Sequence, residues 1–159
     1  MPTKTTSSAS SLVVDIQTAS PVIEATLEKI ASTALIKKWV KLSLNCGGLL
    51  TLRFVNRAEG KKLNEAFRGK GYATNVLTFP YESSKKKVEA DLIFCLPVIQ
   101  KEAKEQGNTV KSHLAHLVIH GCLHAQDFDH ENAKDAMKME AHEIRLLKAL
   151  GISNPYLPI

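Results

Sequence analysis

Hydrophobic residues recur along the chain in two spacings, which predict strands and helices in alternation. Short runs of β-branched and aliphatic residues, or runs that alternate with polar residues, predict strands. These runs lie at residues 12–16, 49–55, 76–79 and 91–96. Between the second and third runs, apolar residues three to four apart predict a helix at residues 58–67. This interleaving predicts an α+β fold, a small mixed β-sheet covered by helices.

A helical stretch is predicted after the first strand. Ser20 followed by Pro21 predicts its start, because the hydroxyl can cap free N–H groups and proline fits the first helical position. The stretch, whole or broken, is expected to include residues 40–44. Those residues also alternate like a strand, and we assign them to the helix because Gly47 and Gly48 form a natural stop.

Two further helices are predicted in the second half of the chain. Pro97 can open one and Gly107 can close it, after which Asn108 or Thr109 can cap the next. This next helix, at residues 110–126, has the sequence VKSHLAHLVIHGCLHAQ and carries four of the six histidines. The candidate chemistry therefore concentrates on it.

The last predicted element is an amphipathic helix at residues 131–150, which follows a turn at 127–129 and ends at Gly151. Its apolar face is predicted from residues at helical spacing. These residues are Ala133, Ala136, Met137, Ile144 and Leu147. The helix is expected to help cover the sheet.

Composition places these elements in one domain. A length of 159 residues, with 44% hydrophobic and 23% charged residues, is typical of a single globular domain. We expect residues 1–10, rich in Ser and Thr, to form a disordered leader and residues 11–159 to form the domain. No apolar run approaches the roughly 18 residues of a membrane span or forms the roughly 7–15-residue block of a secretory signal. A cytoplasmic protein that binds no membrane is therefore expected.

The net charge of +5 favours an anionic partner, although such a charge is common among proteins that bind nothing acidic. A lysine triplet at residues 85–87 lies in a predicted turn and is interpreted as a solvated loop. Other basic residues cluster around one segment, namely Lys61, Lys62, Arg68 and Lys70. Charge is thus supporting evidence only for an anionic partner.

His120 and His124 are spaced to bind one metal ion. Residues four apart on a helix project from the same face, so two imidazoles are preorganised as ligands. His130 follows a polar turn and completes the pattern HxxxHxxxxxH, which has the ligand spacing of the metzincin motif. Asp127 stands where that motif has glycine, and Asp tolerates a left-handed turn better than most residues. The sequence predicts a zincin-like three-histidine metal site at the end of a central helix.

Three imidazole ligands favour one catalytic metal ion, and zinc suits them best. Other first-row metals stay open, because affinity alone does not select among them. Such zinc sites leave a fourth position for water, whose pKa the ion lowers to about 7. A purely structural site needs a fourth ligand, and Cys122 points about 200° around the helix from His120. Cys95 or an acidic side chain from elsewhere in the chain can still supply that fourth ligand. The cysteines are otherwise expected to be reduced and mostly buried.

The remaining histidines of the chain are assigned other roles. His116 lies on the ligand face one turn before His120. It can serve as an alternative ligand or orient another histidine, and we favour orientation or packing. His113 and His142 have no comparable geometric argument and are expected to be surface residues.

The residue type at position 121, which is glycine here, distinguishes between peptide hydrolysis and phosphodiester hydrolysis as the candidate reaction. Zincin proteases carry a glutamate base directly after the first histidine, whereas glycine has no side chain to take a proton. For a phosphodiester, a metal ion polarises a phosphoryl oxygen while a fixed guanidinium offsets the charge of the transition state. Arg68, in the segment FRGKGYATN, is the candidate guanidinium. The residues therefore favour phosphodiester hydrolysis.

Three motifs carry a family resemblance, namely LNEAFRGKGYATNVLTFPY, ADLIFCLPVI and HGCLHAQDFDH. Together they resemble the YbeY family of metal-dependent endoribonucleases involved in ribosomal RNA maturation, over residues 49–156. The resemblance implies an α+β fold, zinc ligation by His120, His124 and His130, and an arginine needed for activity at Arg68. Arg68 and Lys70 are also expected to bind substrate.

The chain departs from the family pattern at three positions. Ala125 and Asp127 stand where the family usually has a larger apolar residue and a glycine, and Gly71 replaces a common aspartate. These departures concern the geometry of the turn and the RNA-binding loop rather than the metal ligands.

The resemblance also implies the substrate and the partner. It implies an endoribonuclease with one Zn²⁺ per chain that prefers single-stranded RNA, processes the 3′ end of 16S rRNA precursors and acts in ribosome quality control. The small ribosomal subunit is the expected partner. Two alternatives stay open: a non-catalytic ribosome-associated RNA-binding factor with a structural metal, and a metal-dependent peptidase. The sequence leaves two alternatives for the nucleophile, metal-bound water and the RNA 2′-hydroxyl.

Overall fold

A four-stranded sheet organises the fold, and the strands are β1 (Leu12–Thr18), β2 (Gly47–Val55), β3 (Val76–Ser83) and β4 (Lys87–Cys95). This computed structural model describes residues 11–44, 46–83, 87–126 and 133–156. The strand order is β1-β2-β4-β3. β2 pairs in parallel with both β1 and β4, whereas β3 runs antiparallel to β4. The predicted mixed sheet is confirmed, and β3 forms one of its edges.

Helices connect and cover the strands. They are α1 (Pro21–Ile30), α2 (Thr33–Ser43), α3 (Arg57–Arg68), α4 (Leu96–Gln106), α5 (Val110–Ala125) and α6 (Ala133–Ala149). Local signals set several ends: the Ser20 hydroxyl accepts from the Ile23 N–H at 3.2 Å, and Thr109 caps α5 in the same way. Gly107 ends α4 with a left-handed φ of 71°. No helix in the described ranges is long and apolar enough to cross a membrane.

The end of α2 corrects one part of the sequence analysis. The helix does include residues 40–43, as predicted, but it stops at Ser43 and Leu44 is already extended. Gly47 and Gly48 are therefore not the helix stop; they begin β2. Gly48 has a φ of 136°, and a Cβ there would overlap the Val88 carbonyl of β4. The glycine serves close strand pairing rather than helix termination.

The main hydrophobic core lies between one face of the sheet and helices α1, α2, α4, α5 and α6. Phe54 of β2 and Phe94 of β4 stack there with ring centroids 5.1 Å apart. A smaller cluster forms on the other face, where Cys95 packs with Val55, Leu77 and Ile93. Helix α5 is thus held against the sheet, with β3 beside it.

The buried face of α6 also differs from the prediction. Met137 was assigned to the apolar face, but its side chain is 72% exposed. The fully buried positions are Met139, Glu143 and Leu147, each four residues from the next. Because a glutamate lies in the middle of the buried face, hydrophobic periodicity does not reveal which face of the helix is buried. The predicted leader at 1–10 and the turn at 127–129 lie outside the described residues.

Candidate functional site

The C-terminal half of α5 presents the two predicted helical ligands side by side. The rings of His120 and His124 lie with centroids 4.7 Å apart and nearly perpendicular, at 79°. Both side chains are partly exposed and line one cleft. The prediction that the pair shares a helix face is confirmed. His130 and Asp127 lie outside the described residues, so the complete three-histidine set stays a prediction.

A buried carboxylate, Glu143 of α6, orients His120 from behind. Its Oε1 lies 3.0 Å from Nδ1 of His120 and 2.7 Å from Nε2 of His116, and its side chain is 1% exposed. The Tyr156 hydroxyl donates to the same carboxylate, 3.0 Å from either oxygen. An ionised carboxylate only accepts hydrogen bonds, so each of these imidazole nitrogens carries a proton. For neutral His120, this leaves the Nε2 lone pair available to a metal.

The protonation state of Glu143 follows from opposing effects. Burial alone would raise its pKa, but hydrogen bonds from His116 and His120, together with their charge, outweigh burial and lower the pKa to about 2. Burial and the adjacent carboxylate raise the pKa of Tyr156. At neutral pH the site therefore contains a charged acceptor and a neutral phenolic donor.

His116, His120 and Glu143 also form a candidate metal-binding group of their own. One potential ligand atom from each lies within 4.8 Å of the others. This group shares His120 with the predicted histidine set but uses the opposite side of its ring, because Nδ1 faces Glu143. The hydrogen bond between His116 and Glu143 matches the orienting role that we favoured for His116.

The cleft beside the histidines has a volume of about 530 Å³ and joins three elements. Its lining comprises Phe67, Arg68, Thr74, Asn75, Val76, Leu77, Thr78, Phe79, His120 and His124. The structure therefore brings Arg68, the exposed last residue of α3, to the same cleft as the two histidines. Lys70 is exposed just beyond Gly69, the left-handed cap of α3, and is not part of this lining.

His113 was expected at the surface, and the structure contradicts this. Its residue exposure is 6%, and its Nε2 lies 2.9 Å from Oε1 of Glu102. Glu102 in turn accepts from the Asn75 side chain at 3.1 Å, and Asn75 lines the cleft. The mixed polar and apolar sequence of α5 gave no sign of this partner, because Glu102 belongs to another helix. His142 is partly exposed and lies beside Arg145.

The residues around Gly121 explain why a side chain is missing there. A Cβ at Gly121 would lie 2.6 Å from Cδ2 of Leu92 and 3.6 Å from Cγ2 of Val76. A side chain at position 121 would therefore have to displace the buried Leu92 side chain. The glycine is needed for packing and leaves the site without a zincin-type base.

Neither buried cysteine is positioned to complete the metal site. Cys122 is fully buried in the main core, where burial raises its thiol pKa to about 12. Cys95 packs in the small cluster on the opposite face of the sheet from α5. This removes Cys95, which the sequence had left open, as a fourth ligand. Sequence reasoning missed Glu143 and Tyr156, although position 143 falls on the Met139–Leu147 spacing that marks the buried face.

Comparison with known proteins places this chain in a family. A family model described as Endoribonuclease YbeY matches residues 13–151. A protein of that name from Polynucleobacter asymbioticus is 70% identical over 151 residues, covering 95% of this chain and 97% of its own length. A protein with the same name from Janthinobacterium is 50% identical over 133 residues, covering 82% of this chain and 88% of its own length. A solution structure from Thermotoga maritima shares the fold, with a TM-score of 0.53 and 23% identity, over 92% of this chain and 100% of that one. The chain belongs to the YbeY endoribonuclease family.

Proposed function

We propose that this protein is a metal-dependent endoribonuclease that cleaves single-stranded RNA in ribosomal RNA precursors. The observation that carries the proposal is the cleft that Arg68 shares with His120 and His124. Membership of the YbeY endoribonuclease family supports RNA as the substrate. The proposal includes maturation of the 16S rRNA 3′ end and ribosome quality control, in the cytoplasm and in association with the small ribosomal subunit.

We propose one Zn²⁺ per chain, held by His120, His124 and His130. The described donors fit this ion, because imidazole suits zinc and the carboxylate of Glu143 fixes the proton of His120 on Nδ1. A bound zinc ion supplies Lewis-acid polarisation of a phosphoryl oxygen and activation of water. Glu143, which also accepts hydrogen bonds from His116 and Tyr156, fixes the orientation of the His120 imidazole.

Arg68 is proposed to hold the phosphate that reacts. A guanidinium stays protonated at all relevant pH values and can donate two parallel hydrogen bonds to phosphate oxygens. Arg68 lies at the cleft on the last turn of α3, where Gly69 ends the helix. From this position it can offset the negative charge that develops when the phosphodiester is attacked.

Peptide hydrolysis is less compatible with the same site. Position 121 is a glycine packed against Leu92, so it carries no side chain that could serve as a base. Phosphodiester cleavage does not depend on that glutamate, because the Arg68 guanidinium can offset the transition-state charge and a bound metal ion would add to this stabilisation. The peptidase alternative therefore has no described residue in the role of the zincin base.

The deciding experiment measures bound metal and RNA cleavage in the same preparation. We expect zinc in the purified protein, cleavage of a labelled single-stranded oligoribonucleotide, loss of cleavage on chelation and recovery with added Zn²⁺. His124→Ala controls for contaminating nucleases. Metal-independent cleavage would overturn the proposal, and metal binding without cleavage would favour the RNA-binding alternative.

Arg68→Ala tests the proposed phosphate contact. Removing a donor to the transition state typically lowers kcat by about 10²–10³-fold, and we expect a loss in that range. Arg57→Ala is the matched control, because Arg57 is exposed at the other end of the same helix and outside the cleft lining. Equal activity of the two variants would remove Arg68 from the mechanism. Lys70→Ala, measured alongside, tests the predicted substrate contact outside the cleft.

A further inference from the structure

The free edge of the sheet forms one wall of the cleft. β3 pairs with β4 on one side, and within the described part of the chain no strand pairs with its other side. Residues 74–79 line the cleft as a continuous segment. Pro80 follows within the strand, as is common on edges, since proline has no N–H to contribute to a ladder. The main chain of β3 is therefore part of the cleft surface.

The hydrogen-bond pattern tells which main-chain groups of β3 face the cleft. The Cys95 N–H donates to the Asn75 carbonyl at 2.9 Å, and Val76 is the register partner of Phe94. Antiparallel pairs alternate between hydrogen-bonded and non-hydrogen-bonded positions. Residues 77 and 79 therefore direct their N–H and C=O groups to β4. The groups of residues 76, 78 and 80 point away from it.

Two of these three outward positions lack a free donor. The Val76 N–H is bonded to the Asn75 side-chain oxygen at 2.7 Å, and Pro80 has no N–H. Among these outward positions, Thr78 alone presents a C=O acceptor together with an N–H donor that is bonded to none of the described residues. A peptide strand added to this edge would need donors at consecutive outward positions. The edge is thus unsuited to strand addition but suited to one small planar group.

An exposed aromatic ring lines the same cleft as the N–H and C=O groups of Thr78. Phe67 is 65% exposed and lines the cleft next to Arg68. Its ring packs edge-on against Phe79, the neighbour of Thr78, with centroids 5.1 Å apart and an angle of 69°. This contact holds the ring in place while leaving much of the side chain open. A fixed exposed ring is the usual platform for an unpaired nucleobase.

We propose that Phe67 and the Thr78 main chain form a subsite for one unpaired nucleobase of the RNA, a proposal that rests on the proposed function. The base stacks on Phe67 and places its Watson–Crick edge on the N–H and C=O of Thr78. Every base has a donor beside an acceptor on that edge, so the subsite reads whether a base is unpaired rather than which base it is. Selection of single strands next to Arg68 and the histidines follows from this geometry.

Two variants remove the two halves of the subsite. Phe67→Leu keeps an apolar side chain and removes the ring; Tyr72→Leu is its control, since Tyr72 is 58% exposed but outside the cleft lining. Thr78→Pro removes the N–H, which the ladder does not use, and Pro80 shows that this edge accepts proline. Thr78→Val is the matched control, because it keeps the N–H and loses only the hydroxyl.

The measurement is steady-state cleavage of single-stranded oligoribonucleotides by the zinc-loaded protein. We expect Phe67→Leu and Thr78→Pro each to raise KM about tenfold, the effect of losing one stacked or paired base. Tyr72→Leu should stay within about twofold of wild type, and Thr78→Val should raise KM less than Thr78→Pro because it keeps the N–H. A substrate series with one abasic residue, moved along the RNA, should contain a position at which wild type and Phe67→Leu become equal. If no position does so, the base contact is wrong.

The outcomes separate this proposal from the proposed function. Cleavage by wild type with unchanged KM in both Phe67→Leu and Thr78→Pro overturns the subsite alone. Absence of cleavage by the wild type overturns the proposed nuclease activity. The subsite is then tested by binding: the affinities of the same variants for labelled oligouridylate are measured by fluorescence anisotropy. Competition by a Val-Thr repeat peptide as strong as that by oligouridylate would overturn the subsite in favour of strand addition.

Discussion

Replacing Glu143 by glutamine tests whether this carboxylate orients a metal ligand. The amide keeps the shape of the side chain and removes its charge. With its oxygen where Oε1 lies, it can still accept from His116 and His120, while its NH₂ faces the Tyr156 hydroxyl. Hydrogen bonds to charged groups contribute about 1.5–3 kcal/mol and neutral ones about 0.5–1.5 kcal/mol. The bond to His120 should therefore lose about 1–1.5 kcal/mol.

This loss predicts a measurable change in metal affinity. About 1.4 kcal/mol corresponds to a tenfold change, and loss of such supporting hydrogen bonds costs about 10–100-fold in metal binding. We expect Glu143→Gln to lower zinc affinity about tenfold, measured by competition with a chelator of known affinity. Tyr156→Phe is the control, because it removes one donor to the carboxylate but leaves the charge and both histidine contacts. Its effect should stay within about threefold.

The same assay separates the two candidate metal-binding sets. If zinc is held by His120, His124 and His130, His124→Ala abolishes tight binding and Glu143→Gln only weakens it. If His116, His120 and Glu143 hold the ion, Glu143→Gln abolishes binding and His124→Ala leaves it intact. Visible absorption of the Co²⁺-substituted protein reports the change in ligands. Wild-type zinc affinity and an unchanged cobalt spectrum in Glu143→Gln would refute the orienting role.

Further predictions concern pH and packing. Because the folded-state pKa of Glu143 is lowered from 4.5 to about 2, its contribution to stability is present above about pH 4.5 and is lost as the pH falls towards 2. In urea unfolding, the free energy of unfolding of the metal-free wild type should fall by about 3 kcal/mol more than that of Glu143→Gln over that pH range. Parallel pH profiles of the two proteins would contradict this. Gly121→Glu should destabilise the protein by about 1–3 kcal/mol, since its Cβ meets the buried Leu92 side chain. An equally stable Gly121→Glu variant would mean that α5 does not pack as described.

Local signals made most element boundaries predictable from the sequence. Ser20 and Thr109 cap their helices through hydrogen bonds to residues three positions ahead, so the information is contained within one turn. The pairing of His120 with His124 depends on helical periodicity alone and was equally accessible. The meeting of Arg68 with these histidines was anticipated only through family resemblance.

Features that depend on distant residues were not accessible in this way. The burial of His113 depends on Glu102, and the burial of Glu143 depends on two histidines of another helix and on Tyr156. A polar residue whose partner is far along the chain has the same pattern as a solvated one. For the same reason, the apolar face of α6 was assigned to Met137 when its buried positions include Glu143.

The hydrogen bond from Tyr156 to Glu143 links two parts of the chain thermodynamically. Tyr156 follows α6, yet it contacts the carboxylate that holds His120. Coupling free energy between two equilibria is reciprocal, so ordering of residues 151–156 and correct placement of His120 stabilise each other by the same amount. An ion that selects the oriented imidazole therefore also protects this terminal segment from local opening. Backbone amide exchange near Tyr156 becomes a readout of events at the histidine cleft.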